Sequence, residues 1–307
     1  MTRTRRQLGA AILVAMLIVA LAAAAAVSLL RQQDLALRQL TTTRDYEQAM
    51  WVLKGGAQWA RSILAQDARS SAVDHAGEVW ATGLPSTEIE QGTIAGDISD
   101  QQGLFNVNNL ALDGKPSARD IAAFKRLLQA ISLDPGLAET IADWIDADSE
   151  PLSMESAEDN YYLKLAVPYR AANQPIAEMG ELLRVRGVDE RVLAQLRRFA
   201  TALPRRTAVN VNLASPELLL AVVSGLTLAE ARALAGSRAT APFRSLDDFR
   251  ARLPRRDLQW DEGVLSVESQ FFLVSGRATV GKADVRMAAL LQRDRTAVPT
   301  IVWQRMQ

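Results

Sequence analysis

The stretch RTRRQLGAAILVAMLIVALAAAAAVSLLR, residues 3–31, sets the architecture of this chain. Arg3, Arg5 and Arg6 stand before an apolar run from Ala10 to Leu30 that only Ser28 interrupts, and Arg31 closes it. As a helix rising about 1.5 Å per residue, the run is long enough to cross a hydrocarbon core of about 30 Å. Basic residues on its amino side predict a cytoplasmic N-terminus and a body on the other side of the membrane. Two simple readings are a membrane anchor and a secretory signal peptide, for which Ala22 to Ala26 would imitate the cleavage site.

Beyond Arg31 the pattern stays helical to about Asp67. Leu37, Leu40, Met50, Leu53, Trp59 and Ile63 recur at roughly helical spacing, with Gly55 and Gly56 as a place to bend. Residues 86–110 change character. Ile89, Thr93, Ile98, Leu104, Phe105 and Val107 sit among Gly92, Gly96 and Gly103, as in short strands joined by turns. The segment Ile98 to Leu110 then reads as strand, turn at Gly103, and second strand with asparagine capping.

Helices dominate next. Ser117 is a good N-cap with Asp120 three residues on, ahead of the stripe Ile121, Phe124, Leu127, Leu128 and Ile131. Asp134-Pro135 restarts a helix toward Trp144 and Ile145, and further helices are expected at 176–185 and 189–202. Ser215-Pro216-Glu217, Thr227 to Glu230 and Ser245 to Asp248 start three more. With Gly225 between the first two, residues 207–253 resemble a helix-hairpin-helix module of the SAM-like class. Such hairpins can present backbone amides to DNA phosphates, so a membrane-anchored DNA-binding protein of a competence-type pilus is the alternative reading. Against it, the hairpin Ser224-Gly225-Leu226-Thr227 has no adjacent Lys or Arg, and 35 basic residues balance 35 acidic ones, so no global field draws nucleic acid. From Val267 strands return: Phe272, Val274, Val285, Met287, Ala289 and Leu291 alternate around a turn at Gly281-Lys282, and Val298 to Trp303 suits an edge strand.

The chemistry available is narrow. The chain has no Cys and one His, His75. Disulfides, thiol nucleophiles and two-histidine metal sites are therefore excluded within one chain, and His75 sits in a surface-type loop. The pointed segment is Asp143 to Tyr162. It carries Asp143, Asp146, Asp148, Glu150, Glu155, Glu158 and Asp159 with no Lys or Arg among them. So many carboxylates either splay into water or share a cation, and oxygen donors without His or Cys favour Ca²⁺. An EF-hand is excluded, because counting from Asp146 the sixth position is Pro151 and the twelfth Ala157. Paired carboxylates could also serve glycoside hydrolysis, but no nucleophile motif accompanies them.

Taken together, these parts resemble the K subunit of type II secretion systems, a minor pseudopilin. Arg6-Gln7-Leu8-Gly9-Ala10 resembles a prepilin peptidase site, with cleavage between Gly9 and Ala10. The fifth mature position is Val14 where most pilins have Glu, a departure typical of this subunit. The segment Ile98 to Leu110 resembles a family signature. The acidic stretch matches at Asp143, Trp144, Asp146, Asp148, Pro151, Ala157, Glu158, Asp159, Tyr161 and Tyr162, and departs at Ser156, where Gly is usual.

The resemblance implies an α+β fold: a type IV pilin-like N-terminal helix on an antiparallel sheet, with a large inserted all-α, SAM-like region. It divides the chain into a leader (1–9), a transmembrane helix (10–30), a pilin-like helix and first strands (31–110), an inserted helical domain (111–205), a second SAM-like module (206–256) and closing strands (257–307). It implies a non-enzymatic, single-pass inner-membrane protein with a periplasmic body, processed and methylated as prepilins are. Its implied partners are I-type and J-type minor pseudopilins, prepilin peptidase and the assembly platform, with no nucleic acid. Its implied cofactor is Ca²⁺ on Asp146, Asp148, Glu155, Glu158 and Asp159.

Overall fold

A computed structural model describes residues 4–294 and 297–306; Met1 to Arg3, where the expected leader begins, lie outside the described residues. One unbroken helix, α1 (Thr4–Ser70), opens the chain, and Gly55 and Gly56 stay helical within it. Its first part is the apolar run, exposed throughout and long enough to cross a membrane. Its last part covers a sheet. Ala49, Leu53, Ala57, Ala60 and Leu64, spaced three or four residues apart, are all buried against Phe272, Val274, Val285, Met287 and Leu291. Such spacing places them on one face of a helix.

The chain then forms β1 (Leu84–Ile89) and β2 (Gly92–Asp100). A first helical module follows. It contains β3 (Phe105–Asn106), the small hairpin β4 (Ala111–Leu112) and β5 (Lys115–Pro116), α2 (Ala118–Ala130), α3 (Leu137–Ile145), α4 (Asp159–Tyr162), α5 (Glu190–Leu196) and β6 (Ala200–Thr201). A second module holds β7 (Val209–Asn210), α6 (Pro216–Val222), α7 (Leu228–Thr240), α8 (Leu246–Ala251) and β8 (Leu265–Ser266). Last come β9 (Phe271–Val280), β10 (Ala283–Gln292) and β11 (Thr300–Met306).

The main sheet has the order β1-β2-β9-β10-β11 and is antiparallel throughout. Both helical modules are inserted between strands that lie side by side. The chain leaves at Asp100 and returns opposite it, for Asp100 pairs with Phe272 and the Gln101 N–H donates to the Phe271 carbonyl at 3.0 Å. An insertion whose ends meet in this way leaves the sheet's hydrogen bonding intact. The β9–β10 hairpin turns on Gly281 and Lys282. Gly281 has φ +54°, a left-handed conformation that favours glycine in the turn, and the Asp45 carboxylate of α1 accepts the Lys282 N–H beside it at 3.2 Å.

Each module is closed by a two-residue parallel pairing of its own ends, β3 with β6 and β7 with β8. Within each, a helix, a tight turn and a second helix follow. The turn places Ser132 (φ +58°) or Gly225 (φ +80°) before a leucine and a residue whose side chain accepts a following backbone amide: Asp134 from Gly136 N–H, and Thr227, the N-cap of α7, from Glu230 N–H. Helices α2 and α6 pack together, and one core serves both modules, with Phe105 stacked on Phe124 at 4.8 Å. Fully burying a side chain of this size stabilises by roughly 1.5–3 kcal/mol.

Several local expectations change. Residues 104–110 do not extend a strand: after two strand residues they form a 3₁₀ turn, Val107–Leu110, and join the helical core. The reason is that Asn106 accepts from its neighbour Asn108 N–H at 3.1 Å and from Leu203 N–H at 3.0 Å, which bends the chain away from the sheet. The helix expected at 176–185 is a 3₁₀ segment, Met179–Arg184, and that at 189–202 ends at Leu196. Ser117 is an N-cap by position, but its hydroxyl donates to the Asp120 carboxylate at 2.5 Å and caps no backbone amide.

Candidate metal centre

The acidic segment leaves the carboxyl end of α3 and is folded back onto it. Asp143 does the folding: both its oxygens accept the Leu152 N–H at 3.2 Å. Ser153 and Ser156 close a turn on each other. Ala147 N–H donates to the Gly114 carbonyl at 2.8 Å, an approach open because Gly114, at φ +74°, has no Cβ to strike Ala147. Aromatic rings wall the other side. Trp144 meets Tyr162 edge-on at 5.1 Å, and Tyr162 stacks on Tyr169 at 5.3 Å.

This folding seals Asp146 and Glu158 from solvent. None of their four carboxylate oxygens has a hydrogen-bond partner among the described residues, nor does the buried Oδ1 of Asn173. Asn173 stands at the same place, its N–H on the Trp144 carbonyl at 3.1 Å and its Nδ2 on the Asp148 carbonyl at 2.7 Å. Buried polar atoms are almost always satisfied, and a buried carboxylate without a partner is far costlier than a neutral group. The cost appears as proton affinity. Burial first, then the charges of Asp148 and Asp143, push the Asp146 carboxyl up to about 7. Burial, then Asp143 and Asp146, push Glu158 up to about 8. Burial also raises Asp143 to about 6 despite its hydrogen bonds.

The remaining expected ligands are placed differently. Asp148 and Glu155 are exposed; Asp148 Oδ1 accepts the Glu150 N–H at 2.8 Å. Asp159 is half-buried, accepting from Ala171 N–H at 3.0 Å and facing Arg170 at 3.5 Å. Asn173 lies outside the acidic run and carries no signal in its neighbours; only the fold brings it in. The donor set is carboxylate and amide oxygen, which suits a hard cation such as Ca²⁺ and offers nothing to a thiophilic one.

A second acidic cluster already holds a cation of its own. Oxygens of Asp67, Asp74 and Glu78 lie within 4.8 Å of one another, and the Arg293 guanidinium sits on two of these residues. The turn between α6 and α7 has little to offer a phosphate. Ser224 N–H donates to Gln259, Leu226 N–H to Val223, and Thr227 N–H to Glu230.

Two family models with the description type II secretion system, protein K, match residues 103–205 and 209–268, close to the two helical modules. Type II secretion system protein K of Pseudomonas aeruginosa is 31% identical over 300 residues, covering 94% of this chain and 90% of the relative. The protein of that name from Pectobacterium carotovorum is 32% identical over 304 residues, covering 93% and 92%. Among solved structures, a chain of the GspK-GspI-GspJ complex from the type 2 secretion system of enterotoxigenic Escherichia coli superposes with a TM-score of 0.76. The two are 27% identical, and the match covers 88% of this chain and 99% of that one.

Proposed function

The chain belongs to the type II secretion system protein K family, and from that membership we propose that it acts as a minor pseudopilin. In this role it joins I-type and J-type subunits in a tip complex that initiates the pseudopilus. The observation that carries the assembly is a second apolar face on α1. Opposite the face that covers the sheet, Leu37, Leu40, Trp51 and Trp59 are exposed, between 55% and 69% accessible. Gly55, between the two tryptophans at helical spacing, has open space where a side chain would stand. A helix buries one apolar stripe in its own domain; a second stripe with small and large residues alternating suits another helix. Partners anchored by helices of the same kind would leave the membrane alongside α1.

On this reading the apolar run is an inner-membrane span and the body is periplasmic. Prepilin peptidase cuts between Gly9 and Ala10, the new terminus is methylated, and the assembly platform receives the mature subunit. The protein works by assembly and not by catalysis or nucleic-acid binding. The test is co-purification of the full chain in detergent with the I-type and J-type subunits. A ternary complex is expected, and it should be lost when Trp51 and Trp59 are both changed to Glu. A ternary complex that survives the double change would sink the helix-face argument.

We further propose that the acidic loop is closed by Ca²⁺. Asp146, Glu158 and the Asn173 amide oxygen would hold the ion, with Asp148 and Asp159 adjacent and Asp143 fixing the loop's return. Glu155 could contribute only after the loop moved, since it is exposed. The cation would supply the positive charge that the buried carboxylates lack.

A further inference from the structure

Four carboxylates and one guanidinium meet where the end of α1, the sheet and the second helical module join. Arg293, just past β10, is 7% exposed. It donates to Asp67 of α1 at 2.7 Å, to both oxygens of Asp74 at 2.6 Å and to the Ser269 carbonyl at 2.8 Å. Its guanidinium also lies 4.6 Å from the Phe272 ring centre. Glu78, within 4.8 Å of Asp67 and Asp74, accepts from His75 N–H at 3.0 Å and from Trp80 Nε1 at 2.8 Å. Asp100, the last residue of β2, accepts from Gly103 N–H. Its other oxygen, Oδ1, is buried with no partner among the described residues. His75 turns its Nδ1 to Gly77 N–H, and Glu268 and Asp294 border the adjoining crevice.

The same residues fasten the second module to the sheet. Asp74 N–H donates to the Val267 carbonyl at 2.9 Å. Asn210 Nδ2 donates to the Asp74 carbonyl at 3.2 Å and to Ser269 Oγ at 2.8 Å. Gln102 accepts Asn210 N–H through its backbone and Gln270 N–H through its side chain. Among the described residues, the charge count around Arg293 is therefore unbalanced at the joint itself. Arg293 pairs with Asp67 and Asp74, Glu78 lies within 4.8 Å of both, and Asp100 adds a further carboxylate beside Asp74; surplus charge of one sign at a largely desolvated joint is unfavourable.

We infer that this joint is an acid-tightened latch: uptake of protons by the surplus carboxylates removes their mutual repulsion and holds the second helical module more firmly to the sheet. The direction follows from the sign of the perturbation. Burial first, with neighbouring carboxylates adding, raises Asp67 and Asp100 to about 6, against the pull of Arg293 on Asp67 and of hydrogen bonds on Asp100. Asp74 is raised as well, with burial the largest cause. Groups raised above their unfolded values weaken the fold at higher pH, and the penalty fades as pH falls through about 6. Ordinary acid denaturation by paired carboxylates runs the other way.

The test uses the full chain in detergent micelles with saturating calcium, so that the acidic loop is constant, and repeats it in chelator. Hydrogen exchange of residues 71–79 and 208–213, corrected for intrinsic rates, is followed between pH 7.5 and 5.0. Wild type should become more protected in acid, with a midpoint near 6. Asp100→Asn and Asp67→Asn should each show part of that protection already at pH 7.5 and a flatter profile. The inference is overturned if wild type loses protection in acid, or if both variants keep the wild-type pH dependence. It is equally overturned if both variants lose protection by the same factor at every pH, since the carboxylates would then act only as hydrogen-bond acceptors.

Discussion

Asn108 and Asn212 make the same pair of hydrogen bonds in two different modules. Each side chain grips the backbone of one residue from both sides. Asn108 accepts Ile176 N–H at 2.8 Å and donates to the Ile176 carbonyl at 2.9 Å. Asn212 accepts Phe243 N–H at 2.7 Å and donates to the Phe243 carbonyl at 3.0 Å. Two residues upstream the correspondence continues, for Asn106 and Asn210 accept from Asn108 N–H and Asn212 N–H. Phe105-Asn-Val-Asn108 and Val209-Asn-Val-Asn212 are thus equivalent, and the two modules are variants of one unit. The first also carries the acidic loop.

Removing either grip should destabilise its module. Asn108→Ala strands the Ile176 N–H and carbonyl, and Asn212→Ala strands those of Phe243. An unsatisfied buried group costs about 1–3 kcal/mol, so each variant should lose roughly 2–4 kcal/mol in thermal or denaturant unfolding. Asn→Asp keeps the acceptor but loses the donor and should be no better. A loss below about 0.5 kcal/mol, a size usual for surface changes, would deny the grips their role.

The proposed calcium site predicts an inverted pH response in the metal-stripped protein. Asp146 and Glu158, raised to about 7 and 8, stand above their unfolded values. Their penalty is present above those pH values and is relieved as pH falls through them. Stability without metal should therefore rise from pH 8.5 toward pH 6. Calcium should raise the melting temperature most at high pH, where the carboxylates are ionised, and magnesium should do so poorly because it gives up water reluctantly. An unchanged melting temperature at millimolar calcium would leave the loop without an ion.

Charge removal gives the complementary result. Asp146→Asn takes away one buried negative charge, so the metal-stripped variant should be at least as stable as wild type at pH 8. It should also lose the melting shift with calcium, which wild type gains as RT ln(1 + [L]/Kd). The two effects together distinguish a ligand from a merely structural aspartate, whose loss would lower stability with and without the ion.

Processing provides a covalent check. Mature protein isolated from membranes should begin at Ala10, and Gly9→Val should accumulate the uncut form. A start near residue 27 would indicate a secretory signal peptide instead.

Position in the filament follows from the insertion. Both modules leave the sheet between β2 and β9 at one end of those strands, and on the proposed function this bulk would obstruct an identical subunit stacked beyond it. Labelling should find the protein at one end of pseudopili, and the purified chain should form no homopolymer. Regular labelling along the shafts would contradict this.

What the sequence by itself determined were features written in local pattern. The long helix followed from a continuous apolar run and the helical recurrence beyond it, the β9–β10 hairpin from alternation around Gly281, and the starts of α6, α7 and α8 from Ser215, Thr227 and Ser245. All of these depend on neighbours within a few residues, so periodicity and capping chemistry suffice. The acidic loop was legible as a concentration of charge. Tertiary structure decided which of its carboxylates are sealed in, because that depends on Asp143 drawing Leu152 back and on Asn173 arriving from beyond Tyr169. It also decided the fate of residues 104–110, whose apolar pattern suits a strand as well as a helical core until Asn106 meets Leu203. The Arg293 joint shows the same limit at greater range. Asp67, Asp74, Asp100 and Arg293 are separated by up to 226 residues, and only the register of the sheet, which pairs the exit at Asp100 with the return at Phe272, brings their charges together.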